Sequence, residues 1–296
     1  MTLRLFWMAA LASRAMAGDF VEDLQQLREK GDHSAVQKFL AEAQDKQREN
    51  PDYYASGANY WWSLASEPNL STKPSAQGEP SIRDPKSGKE VGSISTNGEV
   101  NPELRAKALA LTTEGFRKFP HRLDLGFGLA HVQMEMGRSD AAAATLLQIL
   151  EVCRKSPKSL VWQQNKPLPQ PAERFVPEAI QGHVASLFNQ RQPASDALAA
   201  KICEATIATY PDHGHAYNML AVLADAKDDK AGVVRYLKLA HEKAPKDTLI
   251  LMNLADQYRR QGMNAEAIAA YRKVVSADPD GELAADAQAA LKELEK

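Results

Sequence analysis

Four prolines, Pro177, Pro211, Pro245 and Pro279, stand 34 residues apart. Proline has no backbone N–H and its ring clashes with the preceding turn, so it closes a helix. Recurrence at this period marks stacked supersecondary repeats, none of which buries its apolar face alone. The spacing predicts helix pairs through the second half of the chain, each ended by a proline.

The residues between the prolines keep the same beat. From 248 to 281, Leu251, Leu254, Ala255, Tyr258, Ala267, Tyr271, Val274 and Pro279 alternate large, small and aromatic side chains, with Gly262 between the two helices. The repeat before it, 214 to 247, offers Tyr217, Leu220, Ala221, Ala224, Val233, Leu237, Ala240 and Pro245 in register. These residues resemble the tetratricopeptide repeat family. The resemblance implies small side chains where the first helix of a pair nests on the second, and aromatics between neighbouring repeats.

Fainter copies run upstream. Residues 180 to 213 keep Leu187, Ala199, Cys203 and Pro211; residues 123 to 156 keep Leu129, Ala130, Gly137, Ala142 and Leu146. Trp61, Leu64 and Ala65 read as a first helix, with Ala108 and Pro120 in its second, and 21 to 49 read as a hairpin turning at Gly31-Asp32. Leu283, Ala287, Leu291 and Leu294 give the last stretch one apolar face, as expected of a helix that caps an array. The expected fold is all-α: a tetratricopeptide-type α-solenoid of about five to six helical hairpins plus a C-terminal capping helix.

Two stretches break the period. Residues 66 to 100, rich in Pro, Ser and Gly, carry β-prone runs at Ser81-Ile82-Arg83 and Glu90 to Ile94 around Asp84-Pro85 and Gly88. They predict an inserted loop or small β-hairpin, functional or a flexible spacer. Residues 158 to 177 form a Pro-rich connection. Lys166 to Pro171 favours extended backbone there, as a linker or as a ligand for an aromatic groove.

At the N-terminus, Arg4, the apolar run Leu5 to Ala12 and Ala15-Met16-Ala17 compose a signal peptide over 1–17, with Arg14 out of pattern. The competing readings are an amphipathic first helix or a mitochondrial presequence. Export, to a periplasm or outside the cell, is the expectation, with N-terminal hairpins over 18–157 and a C-terminal array over 178–296. A net charge of -2 with dispersed Lys and Arg offers no basic face for nucleic acid. No apolar run reaches the roughly 20 residues of a membrane span. Cys153 and Cys203 read as small buried side chains, although export permits a disulfide.

No catalytic constellation emerges: no G-x-S-x-G, no H-E-x-x-H and no phosphate-cradling loop. His213 and His215 lack further ligands at metal spacing and read as surface histidines. Asp225, Asp228 and Asp229 read as a solvated turn. Trp61 reads as core, and Trp62 as freer to face a ligand. No enzyme activity, metal or cofactor is expected.

The family resemblance implies a binding surface on the first helix of each repeat, at its second, fifth, ninth and twelfth positions. Those positions carry Asp124, Phe127, His131 and Met134; Gln181, Val184, Phe188 and Arg191; His215, Asn218, Val222 and Asp225; and Leu249, Met252, Asp256 and Arg259. The mixture suits an extended or helical peptide. Val184, Asn218 and Met252 stand where chaperone-tail-binding relatives would have a clamp lysine, so that activity is not expected. The expected function is a protein- or peptide-binding scaffold or adaptor. A structural spacer, or an enzyme inhibitor acting through 66–100, is the alternative.

Overall fold

A computed structural model describes residues 19–66, 69–71, 81–83, 87, 89–95 and 100–295 of the chain. The expected signal peptide, 1–17, lies outside them. Thirteen α-helices are described among these residues, and short turns join most of them. None of the described helices is long and apolar enough to cross a membrane.

The helix starts are written into the sequence. Asp32, Asn50, Asn101, Asp229 and Asp247 each accept an N–H from the first turn that follows, satisfying donors with no partner inside the helix. The turns inside the pairs are equally determined. Gly31, Gly137 and Gly262 adopt left-handed backbone near φ +70°, which costs glycine nothing. Arg191 and Asp228 take the same conformation at the corresponding turns of their own pairs, where the Cβ is a steric burden.

The chain divides into two compact units. The N-terminal unit holds α1 (Asp19–Glu29), α2 (His33–Lys46), α3 (Pro51–Ala65), α4 (Pro102–Lys118), α5 (Leu123–Glu135) and residues 161–166. α3 and α4 pack tightly because Gly115 brings α4 onto Tyr54, whose side chain is buried. Between them lie β1 (Asn69–Ser71), β2 (Ser81–Arg83) and β3 (Glu90–Ser95).

The insertion departs from the expected loop or lone hairpin. β3 is the middle strand of a three-stranded antiparallel sheet, pairing Ser95 to Ser93 with Asn69 to Ser71 on one side, and Ser93 with Ser81 on the other. A two-stranded ribbon leaves both edges of backbone unpaired and is marginal alone. The third strand satisfies one of those edges, and its three residues, Asn69-Leu70-Ser71, are too few for a pattern to announce it.

The C-terminal unit holds α6 (Ser139–Lys155), α7 (Ala172–Phe188), α8 (Pro193–Thr209), α9 (Gly214–Asp225), α10 (Lys230–Lys243), α11 (Thr248–Arg260), α12 (Asn264–Ala277) and α13 (Glu282–Leu294). Its seams are those expected of the pattern. Ala221, Ala224, Val233, Leu237 and Leu254 close one. Leu251, Ala255, Ala267, Tyr271, Val274 and Ala287 close the next. The alanines let helix backbones approach, while each large buried side chain contributes roughly 1.5–3 kcal/mol.

Pro211, Pro245 and Pro279 each fall two residues after a second helix ends. Pro177 does not. It sits buried inside α7, which begins at Ala172, so the Pro-rich connection ends at Pro171 rather than at 177. Proline removes one hydrogen bond near the start of a helix, and burial of its ring there offsets that loss. Cys153 and Cys203 are both free and buried, and burial pushes the Cys203 thiol up to about 12.

Candidate peptide-binding face

In the C-terminal unit, α9 packs beside both α7 and α11, and α11 packs beside α13. The first helices of successive repeats therefore form one continuous layer, which is what the expected face requires. Polar groups tie the layer together across the repeats. The Asn253 amide donates to Asn218 Oδ1 at 2.9 Å, joining α11 to α9. His215 Nε2 lies 3.1 Å from Asp247, the residue that caps α11. Arg259 reaches Glu293 of α13 at 3.4 Å and Asp256 at 3.9 Å. Arg260 reaches back to Asp225 of α9 at 3.5 Å. Asp256 also accepts the Tyr271 hydroxyl at 2.5 Å; burial, then this hydrogen bond, raises that phenol's pKa.

The apolar members of the face differ in access. Val222 and Met252 are half-buried, and Phe188 is half-buried as the last residue of α7. Val184 is buried and contributes packing rather than surface. Gln181 is exposed on α7. Leu249, at the second position of its repeat, is 46% exposed and is one of two large hydrophobic residues so exposed among those described. Arg191 does not stand on the helix where the repeat register placed it. α7 stops at Phe188, and Arg191 occupies the following turn in left-handed backbone.

His213 and His215 are not the surface pair that the sequence suggested. Both are partly buried with ring centroids 5.8 Å apart, and burial, then the neighbouring His215, lowers His213 to about 4. A carboxylate does arrive beside His215, but from the next repeat. No group of three or more metal-ligating residues is assembled among the described residues.

In the N-terminal unit the same positions are more enclosed. Phe127 and Asp124 are buried, while His131 and Met134 are half-buried. Trp61 is buried with the Lys107 ammonium 4.3 Å from its ring centre. Trp62 is half-buried, edge-on to His131 at 5.9 Å, with the Arg105 guanidinium 4.7 Å from its ring centre. Burial lowers the His131 pKa, with Glu135 pulling the other way. Phe127 meets Trp162 at 6.4 Å.

Below these rings lies a charged cluster with no expected counterpart. Arg122, 2% exposed, donates from Nε and Nη2 to Asp124 at 2.9 Å, from Nη2 to Asp52 at 2.8 Å, and from Nη1 to Asn165 at 3.3 Å. Burial opposes its charge, but the two carboxylates outweigh it and hold the guanidinium above its usual range. Asp52 also accepts the Gln164 N–H at 3.2 Å.

The ties across the C-terminal layer had a signal in the sequence. Residues about one period apart sit on neighbouring first helices, so Asn218 with Asn253, and Arg259 with Glu293, are pairs that the 34-residue spacing itself selects. The Arg122 cluster had none, since Asp52 lies 70 residues away with no repeat linking the two.

The tetratricopeptide repeat family model matches residues 249–280, which span α11 from its second residue, the following turn, α12 and the three residues after it. No curated protein matches the sequence. Among solved structures, YrrB, titled a TPR protein with an unusual peptide-binding site, is similar at 11% identity and a TM-score of 0.43, covering 84% of this chain and 97% of that one. PilW, titled a widely conserved type IV pilus biogenesis factor, is similar at 11% identity and a TM-score of 0.41, covering 94% and 97%. A tetratricopeptide repeat protein from Parabacteroides merdae is similar at 16% identity and a TM-score of 0.39, covering 93% and 87%. Scores this low describe partial superposition only.

Proposed function

From the premise that this chain is a tetratricopeptide-repeat protein, we propose that it is an exported scaffold or adaptor which holds a protein or peptide on the first-helix layer of its C-terminal unit. The observation that carries this reading is Leu249. A leucine left 46% exposed at the head of α11, one turn from Met252 and beside the His215–Asp247 pair, supplies an apolar anchor with polar groups at its rim. Peptide grooves are built that way: apolar pockets hold alternate side chains and polar groups set orientation.

His215, Asn218, Val222, Met252, Asp256 and Arg259 are the residues we assign to the contact. Phe127, His131 and Met134 form a separate stretch in the N-terminal unit. Export rests on the charged, apolar and small-residue sequence of residues 1–17.

Photo-cross-linking in whole cells tests both parts. A photoreactive residue at Leu249 or Val222 is expected to trap a discrete partner, while the same residue at Arg235 or Ala269, on second helices, traps none. The mass of the uncross-linked chain reads whether residues 1–17 are removed. Equal trapping at all four positions would sink the assignment of the face, and an intact N-terminus would sink export.

A further inference from the structure

The segment 161–166 is seated on the N-terminal unit in the way a bound peptide is. Val161 pairs with the α4–α5 turn as a short parallel bridge: its N–H donates to His121 O at 2.9 Å, and its carbonyl accepts from Leu123 N–H at 3.1 Å. The next residue, Trp162, lays its ring against Phe127. The chain then folds into a small loop closed by Trp162 N–H to Lys166 O at 2.7 Å. The loop's head is gripped by charge-assisted bonds, Gln164 N–H to Asp52 and Asn165 Oδ1 from Arg122. Backbone pairing, one aromatic anchor and a gripped polar end are the elements of peptide recognition.

The same segment is strained. Gln164 and Asn165 both stand in left-handed backbone, at φ 57° and 55°, a conformation that consecutive non-glycine residues avoid. A strap that holds two such residues does so because its anchors compensate. Once the anchors are met by another segment, the strain favours release. The residues that meet it, Asp52, Arg122 and Phe127, come from α3, the α4–α5 turn and α5, and none of them belongs to the strap. This surface is distinct from the C-terminal layer, and the inference does not depend on that reading.

We propose that this surface is a second docking site, for a partner segment that turns after a tryptophan and carries a polar residue two or three places on, and that residues 161–166 keep it closed in cis. A tethered segment competes at an effective concentration in the millimolar range for a short linker, so a free segment gains access only when the tether's anchor is weakened or the partner is better matched.

The test uses the full chain and a fluorescently labelled peptide spanning 160–167, read by anisotropy. Trp162→Ala is expected to bind the peptide at least about ten-fold more tightly than the wild-type chain, and a peptide with alanine in place of its tryptophan is expected not to bind. Gln164→Pro is the second variant, because proline cannot take a positive φ and gives no N–H to Asp52, yet it leaves Trp162 in place. It is expected to open the site to the peptide as well. Failure of both variants to bind while they retain wild-type circular dichroism overturns the proposal. So does wild-type binding as tight as that of the variants, or unfolding of both variants, which would make the strap a part of the fold rather than a displaceable occupant. A wild-type chain that dimerises through exchanged straps would assign the surface to a second copy and overturn the partner reading.

Discussion

Gly214 opens α9 at a point where the second helix of the same pair comes to an end. A Cβ added there would stand 2.7 Å from Ala244 Cβ, 3.0 Å from Ala240 O and 3.3 Å from Ile250 Cδ1. Carbon atoms pack at roughly 3.5–4.0 Å, so relief requires a shift of about 1 Å. Ile250 Cδ1 can swing aside, but the two nearest atoms, Ala244 Cβ and the Ala240 carbonyl oxygen, cannot, so the helices themselves must part. Overpacking of this kind costs about 1–3 kcal/mol. Alanine's better helix propensity returns at most about 1 kcal/mol, less in the first turn. Gly214→Ala is therefore expected to destabilise the C-terminal unit by about 1–2 kcal/mol, read as a fall of roughly 3–6 °C in its melting temperature by far-ultraviolet circular dichroism.

Tryptophan fluorescence supplies the internal reference, because three of the four tryptophans, Trp61, Trp62 and Trp162, belong to the N-terminal unit, and a chain begun at Gly18 removes the fourth, Trp7. Ala244→Gly added to Gly214→Ala removes the nearer obstacle and is expected to restore part of the loss. The Ala240 carbonyl stays in place, so restoration is incomplete. A Gly214→Ala chain as stable as wild type, or the absence of coupling between the two substitutions, would refute the packing argument.

Two further outcomes follow from the charged groups. Arg122→Met is expected to cost roughly 3 kcal/mol in urea unfolding followed by tryptophan fluorescence, since it strands Asp124 and Asp52 in a buried setting; a loss under about 1 kcal/mol would show that the carboxylates find water. His213, held at about 4, binds its proton less readily in the folded chain than in the unfolded one, where its value is about 6.5. Its contribution is thus intact above about pH 6.5 and is lost as pH falls from there towards 4, by about 1–2 kcal/mol after allowance for its partial exposure. His213→Gln should flatten that acid slope, and an unchanged slope would place the sensitivity elsewhere.

The fold was legible wherever one residue type had one physical job. Pro211, Pro245 and Pro279 stop helices, and Leu251, Ala255, Ala267 and Tyr271 fill one seam, so period and seam appear together in the sequence. Pro177 misleads because a buried proline near a helix start costs only one hydrogen bond, and the chain tolerates it inside α7. Arg191 misleads for a related reason. Its helix ends early, and the left-handed turn it occupies carries no glycine to mark it. The Arg122 cluster and the seated Trp162 are invisible to any local pattern, since they join residues from α3, α5 and the Pro-rich connection that only tertiary folding brings together.

The sheet inserted between α3 and α4 has a bearing on how this chain tolerates change. α3 ends at Ala65 and α4 begins at Pro102, so 36 residues bridge a helix pair that still packs closely. Chain-closure entropy grows only as the logarithm of loop length, and replacing a four-residue turn by one of this size costs about 2 kcal/mol. The α3–α4 contact, with Gly115 set against Tyr54, absorbs that cost. The junction is therefore a permissive port, where a reporter peptide or a foreign domain can be grafted in place of the strands with the helical framework beneath left standing.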